Sequence, residues 1–192
     1  HGSGKLDEGV KIEEGGDMQF VPDERVSHGD IIDGGNWSVE CVYTPGHTSN
    51  HVCFQLKEGR ILFTGDHVMG WSTSIVSPPD GDMEAYMNSL DLLLERDDRV
   101  YWPTHGPAVT EPKEHVAAFI AHRREREEQI LKCVDEGVHI ISEMVPKMYQ
   151  GTPEFMFPAA ARSVFAAVEY MIKRGVLVSD QDNLMEARLN RN

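Results

Sequence analysis

The sequence predicts an α+β protein in which a strand-rich part precedes a helical part. Apolar residues alternate with polar ones in short runs such as Trp37 to Tyr43 and Val52 to Leu56, and this alternation is typical of half-buried strands. After Pro112 the apolar residues recur at helical spacing instead. We therefore divide the chain into two predicted domains, residues 1–112 and residues 113–192.

The first predicted domain contains a small sheet and one helix. A strong turn signal at residues 33–36 precedes one strand, and Glu58-Gly59 closes a tight hairpin between the next two. Asp82 is a suitable N-cap for the helix. The predicted elements are a strand over Met18 to Val26 that Pro22 interrupts, strands over Trp37 to Tyr43, Val52 to Leu56, Arg60 to Phe63 and Arg99 to Trp102, an irregular loop over Val68 to Asp82, and a helix from Met83 to Leu94.

The second predicted domain consists of three helices and a hairpin. The elements are a long helix from Lys113 to Glu136, a short one from Val138 to Met148, a third from Pro158 to Arg174, and strands over Val176 to Val178 and Met185 to Leu189. The middle of the long helix is charged on all sides, so we predict a solvated segment that joins two packed ends. His115 and His122 lie on this helix and are predicted to be surface residues.

Composition restricts the function classes. The chain of 192 residues has 40% hydrophobic content and a net charge of −14, which argues against a general nucleic-acid or anionic-membrane binder. The charge is uneven, because residues 1–112 carry 7 basic and 20 acidic groups whereas residues 113–192 carry 11 and 12. The acidic excess therefore belongs to the first predicted domain.

The three cysteines and the hydropathy pattern indicate a cytoplasmic protein. Cys41, Cys53 and Cys133 show no motif spacing, so we interpret them as buried thiols in a reducing compartment. No apolar run approaches the roughly 20 residues that cross a bilayer, so we expect no membrane partner.

Three polar motifs follow predicted strands and carry the candidate site. They are Thr44-Pro45-Gly46-His47-Thr48, Thr64-Gly65-Asp66-His67 and Pro103-Thr104-His105-Gly106. Loops at strand ends display functional side chains, and imidazole with carboxylate suits zinc, iron or manganese. The leading hypothesis is a metal site built from His47, Asp66 and His105. The alternative is that each is a turn residue that bonds its own backbone.

Neighbouring residues have predicted supporting roles. His51 is expected to bond locally, and His67 is a candidate for a contact with a metal ligand. Trp71, in the irregular loop after the second motif, is a candidate exposed platform for substrate, with a buried indole as the alternative.

The three motifs resemble the third, fourth and fifth motifs of the metallo-β-lactamase superfamily. Gly65 to Trp71, followed by Ser77 to Met83, further resembles members that carry a C-terminal winged-helix domain. The resemblance implies the C-terminal half of an αββα fold followed by a small winged-helix-like domain. It also implies two metal ions, zinc in the first place with iron or manganese possible. His47 would bind the first ion, Asp66 would bridge both, and His105 would bind the second.

One family motif does not occur in this sequence. The superfamily's first motif, His-x-His-x-Asp-His, supplies further ligands to both ions and the expected proton acceptor, and none of the nine histidines begins that pattern. We expect that the chain is a fragment whose N-terminal half is missing, and the alternative is a degenerate relative of the family. With too few ligands for either ion, the 192-residue chain alone is expected to bind zinc weakly and to show negligible hydrolysis.

The predicted function is metal-dependent hydrolysis of an ester-like bond in a small molecule, a thioester or other acyl ester, by a metal-bound hydroxide. The alternatives are an RNA phosphodiester, which the acidic first domain disfavours, and a non-catalytic scaffold or interaction module. Sequence-specific DNA binding is not expected, because the last long helix offers only Arg162, Lys173 and Arg174 as exposed cations. A homo-oligomer is a further expectation.

Overall fold

The computed structural model describes residues 21–192. The predicted polar loop before Asp17 and the first residues of the predicted strand at Met18 lie outside this part. From Val21 to Val26 the described chain contains no strand, so that part of the prediction is wrong. Pro22 cannot donate to a strand ladder, which is consistent with the irregular backbone there.

A five-stranded sheet forms the centre of the first part of the chain. Its strands are β1 (Ile31–Asp33), β2 (Ser38–Tyr43), β3 (Val52–Leu56), β4 (Ile61–Gly65) and β5 (Val100–Pro103), in the spatial order of their numbers. The first four pair antiparallel, and β5 pairs parallel to β4. A parallel pair needs a crossover connection, and here it contains helix α1 (Met83–Glu95). The C-terminal ends of β4 and β5 consequently lie side by side.

One face of the sheet is packed and forms the first core. Val42 pairs with Cys53 across β2 and β3, and Leu62 pairs with Tyr101 across β4 and β5. All four are buried against α1 and the next helix, because alternate residues of a strand point to the same face. Asp82 caps α1 as predicted, since its Oδ1 accepts from the Ala85 N–H at 2.8 Å.

The opposite face of the sheet carries large apolar side chains that remain exposed. Phe63 and Trp102 pair across β4 and β5 in an edge-to-face contact with ring centroids 6.1 Å apart, and Tyr43 lies on β2. Their exposed fractions are 41%, 54% and 44%. We call this surface the open sheet face. Apolar clusters of this kind usually mark a surface that a partner covers.

The second part of the chain has the predicted order of three helices and a hairpin. The elements are α2 (Pro112–Asp135), α3 (Ile141–Met148), α4 (Phe157–Lys173), β6 (Leu177–Ser179) and β7 (Leu189–Arg191). The last strand begins where the predicted one ended, because a turn joins the Ala187 N–H to the Asn183 carbonyl at 2.9 Å. Assignment of this part to the winged-helix class stays a prediction, as does the domain boundary at residue 112.

Helix α2 joins two hydrophobic cores, as its pattern predicted. Val116 and Phe119 in its first half belong to the first core, whereas Ile130 and Cys133 in its second half belong to a second core among the helices. The two parts of the chain are also linked by an ion pair of 2.8 Å between Lys173 of α4 and Asp82. Helix α2 therefore contributes residues to both hydrophobic cores.

The predicted solvated middle of α2 is wrong in its details. Arg123 is only 7% exposed, and it donates a hydrogen bond to the Ser74 carbonyl. His115 and His122, predicted to be surface residues, are both half-buried. His115 Nε2 donates to the Met69 carbonyl at 2.8 Å, so α2 holds the loop after β4 at two points.

Two sequence-level expectations concern hydropathy and thiols. The stretch Glu154–Lys173 is long and apolar enough to cross a membrane by length and composition alone, so the prediction of no such stretch is wrong. This is weak support for a membrane span, because core helices pass the same test, and α4 supplies Val164 and Val168 to the second core. All three cysteines are free and buried as predicted, and burial raises the pKa of the Cys53 thiol to about 12.

Candidate metal centre

The loop that carries His47 is anchored against the start of α1. Gly46 has φ +135°, and a Cβ at this position would lie 2.3 Å from the Tyr86 Cα atom. The Asp82 N–H donates to the Gly46 carbonyl at 2.9 Å. Only glycine allows both this φ and this close approach, so the motif requires Gly46 for the position of the next residue.

The tautomer of His47 follows from one hydrogen bond. Its Nδ1 lies 2.6 Å from the Ile75 carbonyl oxygen, which can only accept, so Nδ1 carries the proton. The lone pair is then on Nε2. Metal-binding histidines typically donate their other ring N–H to a carbonyl in this way.

The second loop begins at Gly65, the last residue of β4. Gly65 has φ +55°, and a Cβ there would lie 2.6 Å from His51 Nε2. His51 is held by a 2.9 Å hydrogen bond between its Nδ1 and Thr44 Oγ1, so its predicted local bonding is confirmed. Burial lowers the pKa of His51 to about 4, and the nearby His47 ring adds to this effect. The His51 ring is therefore uncharged at pH 7, and it lies between the first two loops.

The third loop is packed back to back with the second. The Gly70 N–H donates to the His105 carbonyl at 2.8 Å, and the Thr104 N–H donates to the Gly65 carbonyl at 3.2 Å. Gly106 has φ +96°, and its Cβ would meet the Gly70 Cα atom at 2.8 Å. These contacts place His105 beside Asp66.

Asp66 and His105 have a spacing that suits a shared metal ion. The distance between Asp66 Oδ1 and His105 Nε2 is 3.5 Å. Two ligand atoms at zinc bond lengths in tetrahedral geometry are about 3.4 Å apart. Asp66 Oδ1 is also buried without a hydrogen bond in the described part of the chain, which is costly for a carboxylate unless a cation completes it. In donor type and spacing this pair fits a metal.

The three candidate ligands do not form one closed group. Among residues 21–192 the structure contains no set of three or more His, Cys, Asp or Glu side chains arranged to hold a metal. Asp66 and His105 lie next to each other. His47 lies in the first loop, with its ring centroid 6.2 Å from that of His51. The assignment of the three residues as ligands stays a prediction.

His67 supports the loop through its backbone. It is fully buried, and its carbonyl accepts from Ser74 Oγ at 2.8 Å and from the Tyr86 hydroxyl at 3.0 Å. Its ring lies against the Tyr86 ring at 4.7 Å, and burial lowers its pKa well below the ordinary value. Within the described residues its ring makes no hydrogen bond to Asp66 or His105. The predicted contact with a metal ligand is therefore unsupported.

Trp71 forms an exposed wall beside His105. The indole is 71% exposed and stacks on the His105 ring, with centroids 6.3 Å apart and an angle of 9° between the planes. This excludes the alternative of a buried indole. Its role in substrate binding stays a prediction.

Arg123 is the contributor that sequence reasoning missed. Its guanidinium lies over the Tyr86 ring at 5.1 Å and bonds to the Ser74 carbonyl, next to the carbonyl that holds His47. A sequence signal exists, because Arg123 is seven residues from Val116 and from Ile130 on the apolar stripe of α2. The charged residues on either side of Arg123 make this spacing hard to recognise in the sequence.

Comparison with known proteins identifies the class. The sequence profile of the metallo-beta-lactamase superfamily matches residues 3–105, a range that ends at His105 and includes all three candidate ligands. The chain belongs to this superfamily, and the resemblance to it is confirmed.

Individual relatives agree with this assignment. "Beta-lactamase-like protein 2 homolog" of Drosophila melanogaster is 35% identical over 144 residues, which cover 73% of this chain and 47% of the relative. "Atrochrysone carboxyl ACP thioesterase" of Aspergillus chevalieri is 31% identical over 138 residues, 65% of this chain and 44% of the relative. The chain thus spans about half the length of the curated relatives it matches.

Solved structures show the same fold. A beta-lactamase domain protein from Burkholderia ambifaria has a TM-score of 0.77 at 20% identity, over 91% of this chain and 54% of its own. A metallo-beta-lactamase family protein from Thermus thermophilus has a TM-score of 0.74 at 20% identity, over 87% and 54%. The predicted mixed α and β architecture with a metallo-beta-lactamase domain is therefore confirmed.

Proposed function

We propose that this chain forms part of a metal-dependent hydrolase that cleaves a thioester or another small acyl ester. The observation that carries the proposal is the 3.5 Å approach of Asp66 Oδ1 to His105 Nε2 at the ends of adjacent parallel strands. His47, with its Nε2 lone pair set by the Ile75 carbonyl, lies in the neighbouring loop. Two imidazoles and a carboxylate on a rigid sheet edge suit zinc, with iron or manganese as alternatives.

The three residues would act as ligands. His47 would hold one ion through Nε2, His105 would hold a second, and Asp66 would contribute its carboxylate to both. When bound, a metal ion lowers the pKa of water to about 7 and so supplies hydroxide at neutral pH. The contacts of Gly46, Gly65 and Gly106 keep the three loops rigid, which limits the reorganisation that binding requires.

We propose further that hydrolysis needs ligands beyond those in this sequence. Stable zinc sites generally have three or more protein ligands per ion, and none of the nine histidines starts a His-x-His-x-Asp-His motif. The chain by itself should therefore bind zinc weakly. A longer protein that contains this chain and such a motif should form two sites.

A thioester is favoured among the substrates. Two relatives carry the name "Atrochrysone carboxyl ACP thioesterase", at 31% identity over 138 residues and 38% over 106 residues. The exposed Trp71 indole next to His105 offers a flat apolar surface to an acyl group. The acidic excess of residues 1–112 disfavours a long nucleic acid, because each phosphate contact needs a cation.

The test compares the chain with a longer protein that supplies the motif, both loaded with zinc or manganese. The substrates are an acyl thioester, a chromogenic phosphodiester and a short RNA. We expect thioester hydrolysis by the longer protein, negligible hydrolysis by the chain, and loss of activity in Asp66→Ala. His139→Gln is the control, because that ring also bonds a backbone carbonyl, Leu189 at 2.7 Å, but belongs to the second part of the chain.

Three outcomes contradict the proposal in different ways. Equal hydrolysis by the chain alone, lost in Asp66→Ala, would show that another ligand set exists. Turnover of only the phosphodiester or the RNA would replace the thioester assignment. A longer protein that binds no metal and hydrolyses nothing would point to a scaffold.

A further inference from the structure

A cavity of about 420 Å³ lies between the loop at residues 72–75 and the helices of the second part of the chain. Its walls come from α2, α4 and the end of α3. Apolar side chains form much of the lining, among them Ile130, Val164 and Met156. The volume is in the range of small-molecule sites, about 300 to 1,000 Å³, and such sites combine apolar walls with a few polar groups.

The charged groups of this cavity are mainly positive, in contrast to the chain as a whole. Among residues 21–192, Arg123, Arg126 and Arg162 line it, and Glu127 is the acidic residue of the lining. Glu127 is already paired with Arg174 at 2.9 Å. In a chain with a net charge of −14, this arrangement is a local positive site. Positive groups within apolar walls favour an anion that also has an apolar body.

Two lining residues also carry a buried nitrogen without a hydrogen bond among the described residues. Arg123 is 7% exposed, and its Nε–H has no hydrogen-bond partner in the described part of the chain. His122 Nδ1 is likewise buried without a partner among those residues. Because these two nitrogens have almost no accessible surface, a ligand would instead meet the other polar groups of the lining, including the Arg126 and Arg162 side chains. A carboxylate or phosphate oxygen is a suitable acceptor for guanidinium N–H groups.

The cavity is adjacent to the candidate metal centre. Ile75 lines it, and the Ile75 carbonyl accepts the 2.6 Å hydrogen bond from His47 Nδ1. Ser74, which also lines it, bonds through its carbonyl to Arg123 and through its hydroxyl to the His67 carbonyl. Only the backbone of the loop at residues 72–75 would therefore separate a group bound in the cavity from His47.

We propose that this cavity binds the part of the substrate remote from the scissile bond, an apolar group that carries one carboxylate or phosphate. As a description of substrate, this rests on the proposed function above. As a binding site it is independent of it. A simpler ligand would interact with only part of the lining. A free inorganic anion would make few contacts with the apolar walls, and a neutral hydrocarbon would make no charge interaction with the arginines.

The test measures binding to the 192-residue chain by calorimetry, without metal and without turnover. The probes are decanoate, decyl phosphate and 1-decanol, which share one chain length and differ in the head group. We expect the two anions to bind and the alcohol to bind at least about tenfold more weakly, since a hydrogen bond to a charged group contributes that much. Binding of decanoate relative to decyl phosphate separates the two head groups.

Three variants and one control locate the site. Arg126→Met and Arg162→Met should each weaken anion binding roughly tenfold. Ala159→Phe, an exposed lining position, should weaken binding of all three probes by filling the mouth of the cavity. Arg124→Met is the matched control, because Arg124 is exposed on α2 and does not line this cavity, and it should leave binding unchanged. Circular dichroism checks that each variant folds.

The inference is overturned if the anions and the alcohol bind equally, if no probe binds, or if Ala159→Phe leaves binding intact. The last result would place the probes elsewhere, for instance on the open sheet face. Failure of thioester hydrolysis would not affect any of these measurements. Conversely, an active longer protein whose chain binds no probe would contradict only the cavity assignment.

Discussion

Replacement of Gly65 by alanine should destabilise the chain by about 1.5 to 3.5 kcal/mol. Two terms contribute. The left-handed φ of +55° costs a residue with a Cβ roughly 1 to 2 kcal/mol. The new Cβ would also lie 2.6 Å from His51 Nε2, so the ring must move. Movement breaks its 2.9 Å hydrogen bond to Thr44 Oγ1, a further loss of about 0.5 to 1.5 kcal/mol.

Gly175→Ala separates the two terms. Gly175 has a similar φ of +69°, but the nearest atom to its Cβ is 3.7 Å away, an ordinary contact. Equilibrium denaturation in urea should therefore show Gly65→Ala to be less stable than Gly175→Ala by about 1 kcal/mol. In a double-mutant cycle, His51→Ala should relieve part of the cost of Gly65→Ala. Equal stability of the two glycine variants, or no coupling to His51, would refute the contact as the reason for this glycine.

Other predictions concern pH, the loop contact from α2 and the open sheet face. The pKa of His51 falls from 6.5 to about 4 on folding, so this ring takes up a proton first in the unfolded chain, and His51 alone should lower stability by roughly 3 kcal/mol between pH 6.5 and 4. Denaturation at both pH values should show a smaller drop in His51→Gln. Arg123→Met should lose about 2 kcal/mol because the Ser74 carbonyl loses a charged donor, whereas Arg124→Met should change stability by less than about 0.5 kcal/mol. The chain should self-associate through the open sheet face, and sedimentation should show a lower mean mass for Phe63→Ser or Trp102→Ser, with an unchanged mass counting against that interface.

Local sequence patterns were sufficient for most of the sheet and for the positions of the loops. Alternation located β2 and β3, but it assigned Tyr43 to the packed face, whereas Val42 and Cys53 are the buried positions and Tyr43 is exposed. The motif residues Asp66 and His105 follow strands whose parallel pairing brings their ends together. That proximity follows from topology once the crossover through α1 is recognised.

The remaining features depend on contacts between distant segments. Arg123 is buried because it contacts Tyr86 and Ser74, which are distant in the sequence. The charged residues around it predicted an exposed position instead. The start of β7 depends on a turn at Asn183 that the alternating pattern near Met185 does not reveal. A tertiary contact outweighs local preference in each case.

Metal stoichiometry tests the central claim, that His47, Asp66 and His105 are ligands of one metal centre. A longer protein with the His-x-His-x-Asp-His motif ahead of this chain should bind about two zinc ions per chain, as calorimetry and elemental analysis would measure. Asp66→Ala, His47→Gln and His105→Gln should each lower the content or the affinity, while His139→Gln should not. Retention of two tightly bound ions in Asp66→Ala and His105→Gln would contradict the account.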